Sequence, residues 1–493
     1  MKKNIRTDRL VIREYIISIL IFSVIVFGFL IGTGTLTSGI HLIDDHEFFS
    51  IQNEIESEGV GRAYLDFVER DLQLRFRPLY WIERVTGVFL FGCRARLWSL
   101  CKAVEAVISM WLLYVFARKM QVGKVFSIWF SMMISIGDQA AVWWRLGPQE
   151  SIGIILLGMA LLRTYELSRK RNAFNIISFL GILILMSLQK EAFMVLLPAM
   201  FILLMAFESD QYTGKFKDFF VVFVKKHIVE VLVVIGILLT ESYVILFKVG
   251  TDKLSYAGFS DQWIWKDYLE GIWKSLTNAC LPYIMLLVII IFVLQICLKR
   301  EMLDQRLILE ILFCGYLLVI EQICYAKSSM YERYLIPWVI GIFYPVIIIG
   351  YRMIKNEKRV MVAEIGILSI FLLSFFKTAW TEAVIFADKG EQLHECMDYI
   401  VENSSTDDIL TSVSGIPEED GAMSIIMQNR YGYSNCDDIR KYKEDMGKLR
   451  NSKIIFGRYE RVHEKLNEAG VSPDNYDFYV TSNYEVAIKK SDE

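Results

Sequence analysis

A chain of 493 residues that is 54% hydrophobic and 14% aromatic, with 22% charged residues, is too apolar for a soluble protein of this length and reads as a polytopic membrane protein. Its formal net charge of -3 is too small to select a charged partner, and no nucleic-acid partner is expected.

Residues 13–33 form the first long apolar run, with Arg13 and Glu14 only at its edge. That is enough for a hydrocarbon core that needs ~20 helical residues. Lys2, Lys3, Arg6 and Arg9 precede it, so the positive-inside rule predicts a cytoplasmic N-terminus and places residue 34 outside. The run is too long for a signal-peptide core and no small-residue cleavage site follows, so a retained first helix is expected.

Ten residues on, Ile43-Asp44-Asp45-His46-Glu47-Phe48 puts an acidic cluster at the start of the first outer loop. Helical spacing follows in Phe48, Ile51 and Ile55, and again in Tyr64, Leu65, Val68 and Leu72, which suits interfacial helices lying at the headgroup level. Leu74 to Trp81 then sets Arg75 and Arg77 in an aromatic stretch, where a guanidinium can grip phosphate oxygens bidentately.

Further spans are predicted near 97–117, 124–137, 150–166, 173–188, 190–207, 228–247, 277–297, 306–325, 335–351 and 360–379, about 11 in all. Every loop then assigned to the inside is basic, as in Arg118, Lys119 and Lys124, or Arg352, Lys355, Lys358 and Arg359. The assigned outer segments instead join cations to carboxylates. They are Trp143-Trp144-Arg145-Leu146-Gly147-Pro148-Gln149-Glu150, Gln189-Lys190-Glu191 and Glu332-Arg333-Tyr334. A longer loop, Lys248 to Lys274 with Trp263, Trp265 and Trp273, reads as an interfacial flap.

An odd number of crossings leaves the C-terminus outside, so residues 380–493 are expected to form a small α/β extracytoplasmic domain and residues 1–379 the transmembrane domain. Strand-length apolar runs lie at 408–413, 453–456 and 478–480, with helical stretches near 390–402 and 458–469. Only Cys396 and Cys436 of the eight cysteines share that region, which leaves a disulfide between them open.

An outer site lined by carboxylates and cations suits transfer of a group from a lipid phosphate to a hydroxyl: a carboxylate takes the acceptor proton and cations stabilise the departing phosphate. Asp44 or Asp45 is the candidate base. Arg75, Arg77, Arg145, Lys190 and Arg333 are the candidate phosphate clamp. A divalent metal on Asp44, Asp45 or Glu47, Mg or Mn, is compatible with adjacent hard oxygens but not required. Lys102, Glu105, Glu241 and Glu321 lie within apolar spans without sharing one depth, which argues against a transport path.

The order and common sidedness of these motifs resemble the GT-C fold glycosyltransferases over residues 1 to about 380. The resemblance implies a mainly α, polytopic transmembrane helical bundle that transfers a sugar from a polyprenyl-phosphate donor to a cell-surface glycan or polymer, with inversion at the anomeric carbon. It implies Asp44 or Asp45 as the acceptor-activating carboxylate. Glu47, Arg75, Arg77, Arg145, Glu150, Lys190, Glu191, Glu332, Arg333 and Tyr334 become the expected substrate-binding set, with membrane lipids as surroundings. The contiguous Asp-Asp-His-Glu departs from the spaced pair of acids in many relatives, and the small C-terminal region lacks peptide-acceptor motifs. The alternative readings are a membrane glycan polymerase, a lipid-linked glycan flippase or transporter, and a non-catalytic assembly protein.

Overall fold

The computed structural model describes residues 2–42, 44–210, 212, 214–250, 304–325, 332–438 and 447–490, with isolated residues between 266 and 289. Most of the expected 277–297 span and of the Lys248 to Lys274 flap, together with Met330 and Tyr331, lie outside the described residues.

Among the described residues, seven helical segments are long and apolar enough to cross a membrane: Leu10–Gly32, Ala95–Lys119, Glu150–Arg169, Glu191–Ser209, Ile228–Val249, Arg333–Ile354 and the apolar part of Lys358–Asn403. On α1 (Lys2–Gly32), Ile12, Ile16, Leu20, Val24 and Ile31 remain exposed, a continuous apolar face that water would not tolerate and lipid tails would. Its other face, Phe22, Val26 and Leu30, enters the core. The chain is a polytopic membrane protein with a mostly helical fold and a small sheet in its C-terminal region.

The first loop folds into the two helices that its spacing predicts, α2 (His46–Glu58) and α3 (Val60–Asp71), with an additional α4 (Pro78–Phe91). Proline in the first turn of α4 lacks the N–H that would go unsatisfied there. The three helices share one core of Phe48, Ile51, Phe67, Tyr80, Trp81 and Val85, closed by Trp98 stacked on Phe48.

Helix α5 (Ala95–Lys119) and α7 (Glu150–Arg169) run side by side and start at the same end of the bundle, because Lys102 near the start of one meets Ser151 at the start of the other, while Lys119 meets Glu166 at their far ends. The chain between them must therefore return. The expected 124–137 span does not do this as one helix: α6 (Lys124–Met132) gives way to tight turns at Met133–Ser135 and Asp138–Trp143. Non-helical backbone at this depth is tolerated because protein groups satisfy it. Gly137, at φ +72°, donates to Phe375 O, Gln139 Nε2 donates to Met133 O, and Trp143 Nε1 donates to Ile134 O.

The remaining helices are α8 (Ala173–Gln189), α9 (Glu191–Met194), α10 (Leu197–Ser209), α11 (Phe216–Lys226), α12 (Ile228–Tyr243), α13 (Gln305–Tyr325), α14 (Ile336–Phe343) and α15 (Gly350–Ile354). At the end of the bundle that carries the basic loops, buried and half-buried acids pin the helix termini. Glu14 accepts from Arg118, Glu230 from Arg171, and Glu208 from Lys226. Arg306 and Arg352 both bond Glu310. Glu241 accepts from Ser187 Oγ at 2.6 Å, an interhelical bond.

Helix α16 (Lys358–Asn403) runs unbroken for 46 residues, ~69 Å at 1.5 Å per residue. The stretch expected near 390–402 is therefore not a separate helix but its continuation. The apolar half packs Trp380 against Phe29 of α1. Leu393, Cys396, Met397 and Ile400 of the other half cover a five-stranded sheet, order β2-β1-β3-β5-β4. The strands are β1 (Leu410–Ser412), β2 (Cys436–Asp438), β3 (Ile454–Arg458), β4 (Tyr476–Val480) and β5 (Tyr484–Lys489). β1 pairs parallel with β2 and β3, whereas β5 is antiparallel to β3 and β4. Helices α17 (Pro417–Tyr431), α18 (Gly447–Asn451) and α19 (Arg461–Glu468) connect the strands. Cys396 and Cys436 are both free thiols, so no disulfide joins them.

Candidate functional site

The acidic cluster sits on a turn whose shape separates its two aspartates. Asp44 adopts a left-handed conformation, φ +66°, and Asp45 returns to the helical region to start α2. The reversal turns Asp45 inward, where it is 1% exposed and its Oδ2 accepts from His41 N at 2.9 Å. The side chain of Asp45 does not cap α2. Asp44 stays half-exposed, with Oδ2 4.0 Å from Arg333 Nη2.

This turn rests on α16. His41 Nε2 lies 2.9 Å from Phe386 O, and its ring stacks on Phe386 at 3.6 Å. Ile40 N donates to His394 Nε2 at 3.0 Å, which requires that nitrogen to be unprotonated. Burial first, then the charge of Arg430, holds the His394 imidazole down to about 4. Gly390 permits the approach, since a Cβ there would lie 2.5 Å from Ser38 O and 2.6 Å from His41 Nε2.

Arg333 leads from Asp44 into a buried charge cluster. Its Nε is 3.4 Å from Glu150 Oε2, while Lys190 Nζ bonds Glu150 Oε1. The Tyr334 ring lies between the cations, 4.5 Å from Lys190 Nζ and 4.9 Å from the Arg333 guanidinium carbon. Lys190 is 3% exposed, in an extended residue that separates α8 from α9. Burial lowers its ammonium from the ordinary lysine value, against the attraction of Glu150, and the charge of Arg75 lowers it further. Glu191 has a different partner: its Oε1 accepts from Phe76 N at 3.1 Å and fixes the segment that carries Arg75.

The turn before Glu150 is positioned by three buried donors that occupy four successive carbonyls. Arg84 donates to Leu146 O and Gly147 O, Lys102 Nζ to Pro148 O at 2.7 Å, and Gln189 Nε2 to Gln149 O at 3.1 Å. Charged donors to carbonyls in a dry setting are strong and directional. Arg84, Lys102 and Gln189 escaped the sequence reading as site-building residues. Only the unusual presence of Lys102 in an apolar span pointed to one of them.

Other expected site residues are placed elsewhere. Arg77 is held bidentately by Asp71 at 2.8 and 3.0 Å and lies over the Tyr80 ring. Glu47 accepts from Tyr80 Oη and lies 3.8 Å from Arg84 Nε, beside the core shared by α2, α3 and α4. Arg145 projects towards Phe386, 5.6 Å from its ring, along a neighbouring cavity. Glu332 begins the turn Glu332–Leu335 that carries Arg333. Asp44, Asp45 and Glu47 thus face three different sets of partners, and among the described residues no group of three or more His, Cys, Asp or Glu side chains gathers as a metal ligand set.

No family model matches the chain, and no curated protein matches it at a significant level. Among solved structures, the crystal structure of ArnT from Cupriavidus metallidurans in the apo state aligns over 94% of this chain and 97% of that one, with a TM-score of 0.46 and 10% identity.

Proposed function

We propose that this chain is an integral membrane glycosyltransferase of the GT-C type, which transfers a sugar from a polyprenyl-phosphate donor to a cell-surface glycan or polymer on the extracytoplasmic side. The observation that carries this reading is the pairing of a half-exposed Asp44 with a buried cluster of Lys190, Arg333, Glu150 and Tyr334, at the ends of apolar helices. In the proposed reaction an acceptor hydroxyl attacks the anomeric carbon and gives its proton to the Asp44 carboxylate. The bond from that carbon to the phosphate oxygen breaks, and the polyprenyl phosphate leaves as an anion. Arg333 and Lys190, with Arg75 beside them, supply fixed positive charge where negative charge develops. Glu150 sets the spacing of the two cations. A single displacement inverts the anomeric centre. The proposed topology places residues 1–379 in and on the membrane and 380–493 outside, with the N-terminus cytoplasmic. No step requires a divalent metal.

The test uses membranes carrying the full chain, supplied in parallel with a polyprenyl-phosphate sugar and with the matching nucleotide sugar. The lipid-linked donor should be consumed by the wild type and not by Lys190→Met. Consumption of the nucleotide sugar alone, or undiminished transfer by Lys190→Met, would overturn the reading.

A further inference from the structure

A cavity of about 600 Å³ opens between α2, the turn that joins α4 to α5, and α17 of the C-terminal region. Its walls are tied together: Cys93 Sγ in the turn donates to Gln52 Oε1 at 2.9 Å, and Asn429 Nδ2 of α17 donates to Ser50 Oγ of α2 at 3.4 Å. Among the described residues its charged lining is Arg94, Arg430 and Glu56, one net positive charge. Glu56 accepts from Gln52 Nε2 at 2.8 Å, whereas Arg94 and Arg430 form no hydrogen bond or ion pair among the described residues. The Arg430 guanidinium lies 4.8 Å from the Tyr431 ring and 5.9 Å from the buried Phe49 ring, which hold it at the cavity wall. Asp398 of α16 shares His394 and Tyr431 with Arg430 as charged neighbours but makes no ion pair with it.

One rim of the cavity is apolar and continues into a span. Phe89 and Leu90, at the end of α4, line it and are 60% and 63% exposed. On α5, exposed Leu100, Val104 and Ile108 repeat every fourth residue. That stripe is ~12 Å long at 1.5 Å per residue, close to the ~15 Å depth of one leaflet. Arg94 precedes Leu100 by ~9 Å on the same rise, which sets its guanidinium at headgroup level.

We propose that this cavity binds the headgroup of an anionic glycerophospholipid from the leaflet on the Asp44 side, with an acyl chain laid along Leu100, Val104 and Ile108. The single negative charge of a phosphodiester matches the one net positive charge of the cavity, and Arg94 and Arg430 grip its oxygens. Asn53 and Glu56 supply an amide and a carboxylate to a hydroxylated headgroup. A water-soluble anion would meet the same arginines but has no use for the apolar rim, whereas a lipid satisfies both at once. Because α2 and α17 both line the cavity, an occupied site ties the C-terminal region to the helix that starts at the aspartate turn. Binding involves no sugar donor and is measured independently of the transferase reading.

The experiment counts lipids bound to the full chain in neutral detergent by native mass spectrometry, with phosphatidylglycerol, phosphatidylcholine and sn-glycerol 3-phosphate as probes. Phosphatidylglycerol should bind about tenfold more tightly than phosphatidylcholine at ~0.1 M salt, the combined effect of two exposed arginine contacts. At equal concentration sn-glycerol 3-phosphate should not displace it, which separates a lipid from a free phosphate. Arg430→Gln should cut the preference about threefold, and Arg94→Gln combined with Arg430→Gln should remove it. Lys225→Gln, which removes an exposed cation from α11 at the opposite end of the bundle, should leave it intact. Equal binding of the two lipids, displacement by sn-glycerol 3-phosphate, or a preference no more sensitive to the arginine variants than to Lys225→Gln overturns the proposal. Should the double variant fail to fold, Arg430→Gln carries the same decision.

Discussion

Replacing each aspartate by asparagine separates the chemical role of one from the structural role of the other. Asp44 holds φ +66°, a conformation that asparagine adopts at least as readily as aspartate, so Asp44→Asn introduces no backbone strain. Its ion pair with Arg333, 4.0 Å from a side chain 42% exposed, is worth ~0.2–1 kcal/mol. Thermal stability should therefore change little, while loss of a general base should reduce transfer about 100- to 10,000-fold. Asp45→Asn weakens a buried, charge-assisted bond from His41 N at 2.9 Å, at a cost of about 1–3 kcal/mol, and should lower stability and the yield of inserted protein. The assay follows consumption of lipid-phosphate sugar by membranes, normalised to inserted protein, with cell-surface glycan composition in parallel and melting measured in detergent. A fully active Asp44→Asn beside a stable but inactive Asp45→Asn would refute the assignment of Asp44 as the base.

Arg84→Met should be among the most damaging single changes outside the aspartate turn. It leaves Leu146 O and Gly147 O buried without their donor, and a loss of about 3–5 kcal/mol should appear as a lowered melting temperature. Gly390→Ala forces a Cβ against Ser38 O and His41 and should destabilise by about 1–3 kcal/mol, with transfer falling as the Asp44 turn shifts. His394 is held at about 4 against an ordinary 6.5, so the unfolded chain binds more protons between those values. The contribution is present above pH 6.5 and lost as pH falls towards 4, up to ~3 kcal/mol before discounting for partial exposure, and His394→Gln should flatten melting temperature against pH in that window. Cys396 and Cys436, both pushed up to about 12 by burial, should alkylate slowly in the native protein at pH 8 and fully, without reductant, once it is unfolded. An oxidised pair in the mass spectrum would contradict this.

Much of the helical plan was legible because lipid imposes a length and a polarity on each span, and both are local properties of sequence. Leu10–Gly32, Ala95–Lys119 and Glu150–Arg169 could be read from composition alone, as could the break at Lys190 between α8 and α9. The period-3.6 pattern likewise gave α2 and α3. Strands β2 and β5 and helix α17 were not identified, since short segments in a mixed domain are decided by what they pair with. The 124–137 run illustrates the same limit. Its apolarity was visible, but its departure from a helix after Met132 depends on acceptors at Met133, Ile134 and Phe375, which only the fold brings to it.

Residue type and order therefore determined which charges are available at this end of the bundle: Asp44, Asp45, Arg75, Glu150, Lys190 and Arg333 are chemically marked wherever they lie. Tertiary structure decided their roles. Contiguous Asp44 and Asp45 are indistinguishable by composition, yet one backbone reversal exposes the first to Arg333 and buries the second under His41. Arg77 resembled Arg75 until Asp71 took its Nε and Nη2 donors, and Arg84 became a pillar only because Leu146 and Gly147 lie above it. An ionic or hydrogen-bonded partner can be more than a hundred residues away in sequence, and its energy falls off over a few ångströms in space, so the pairing is fixed by the fold and not by the local chain.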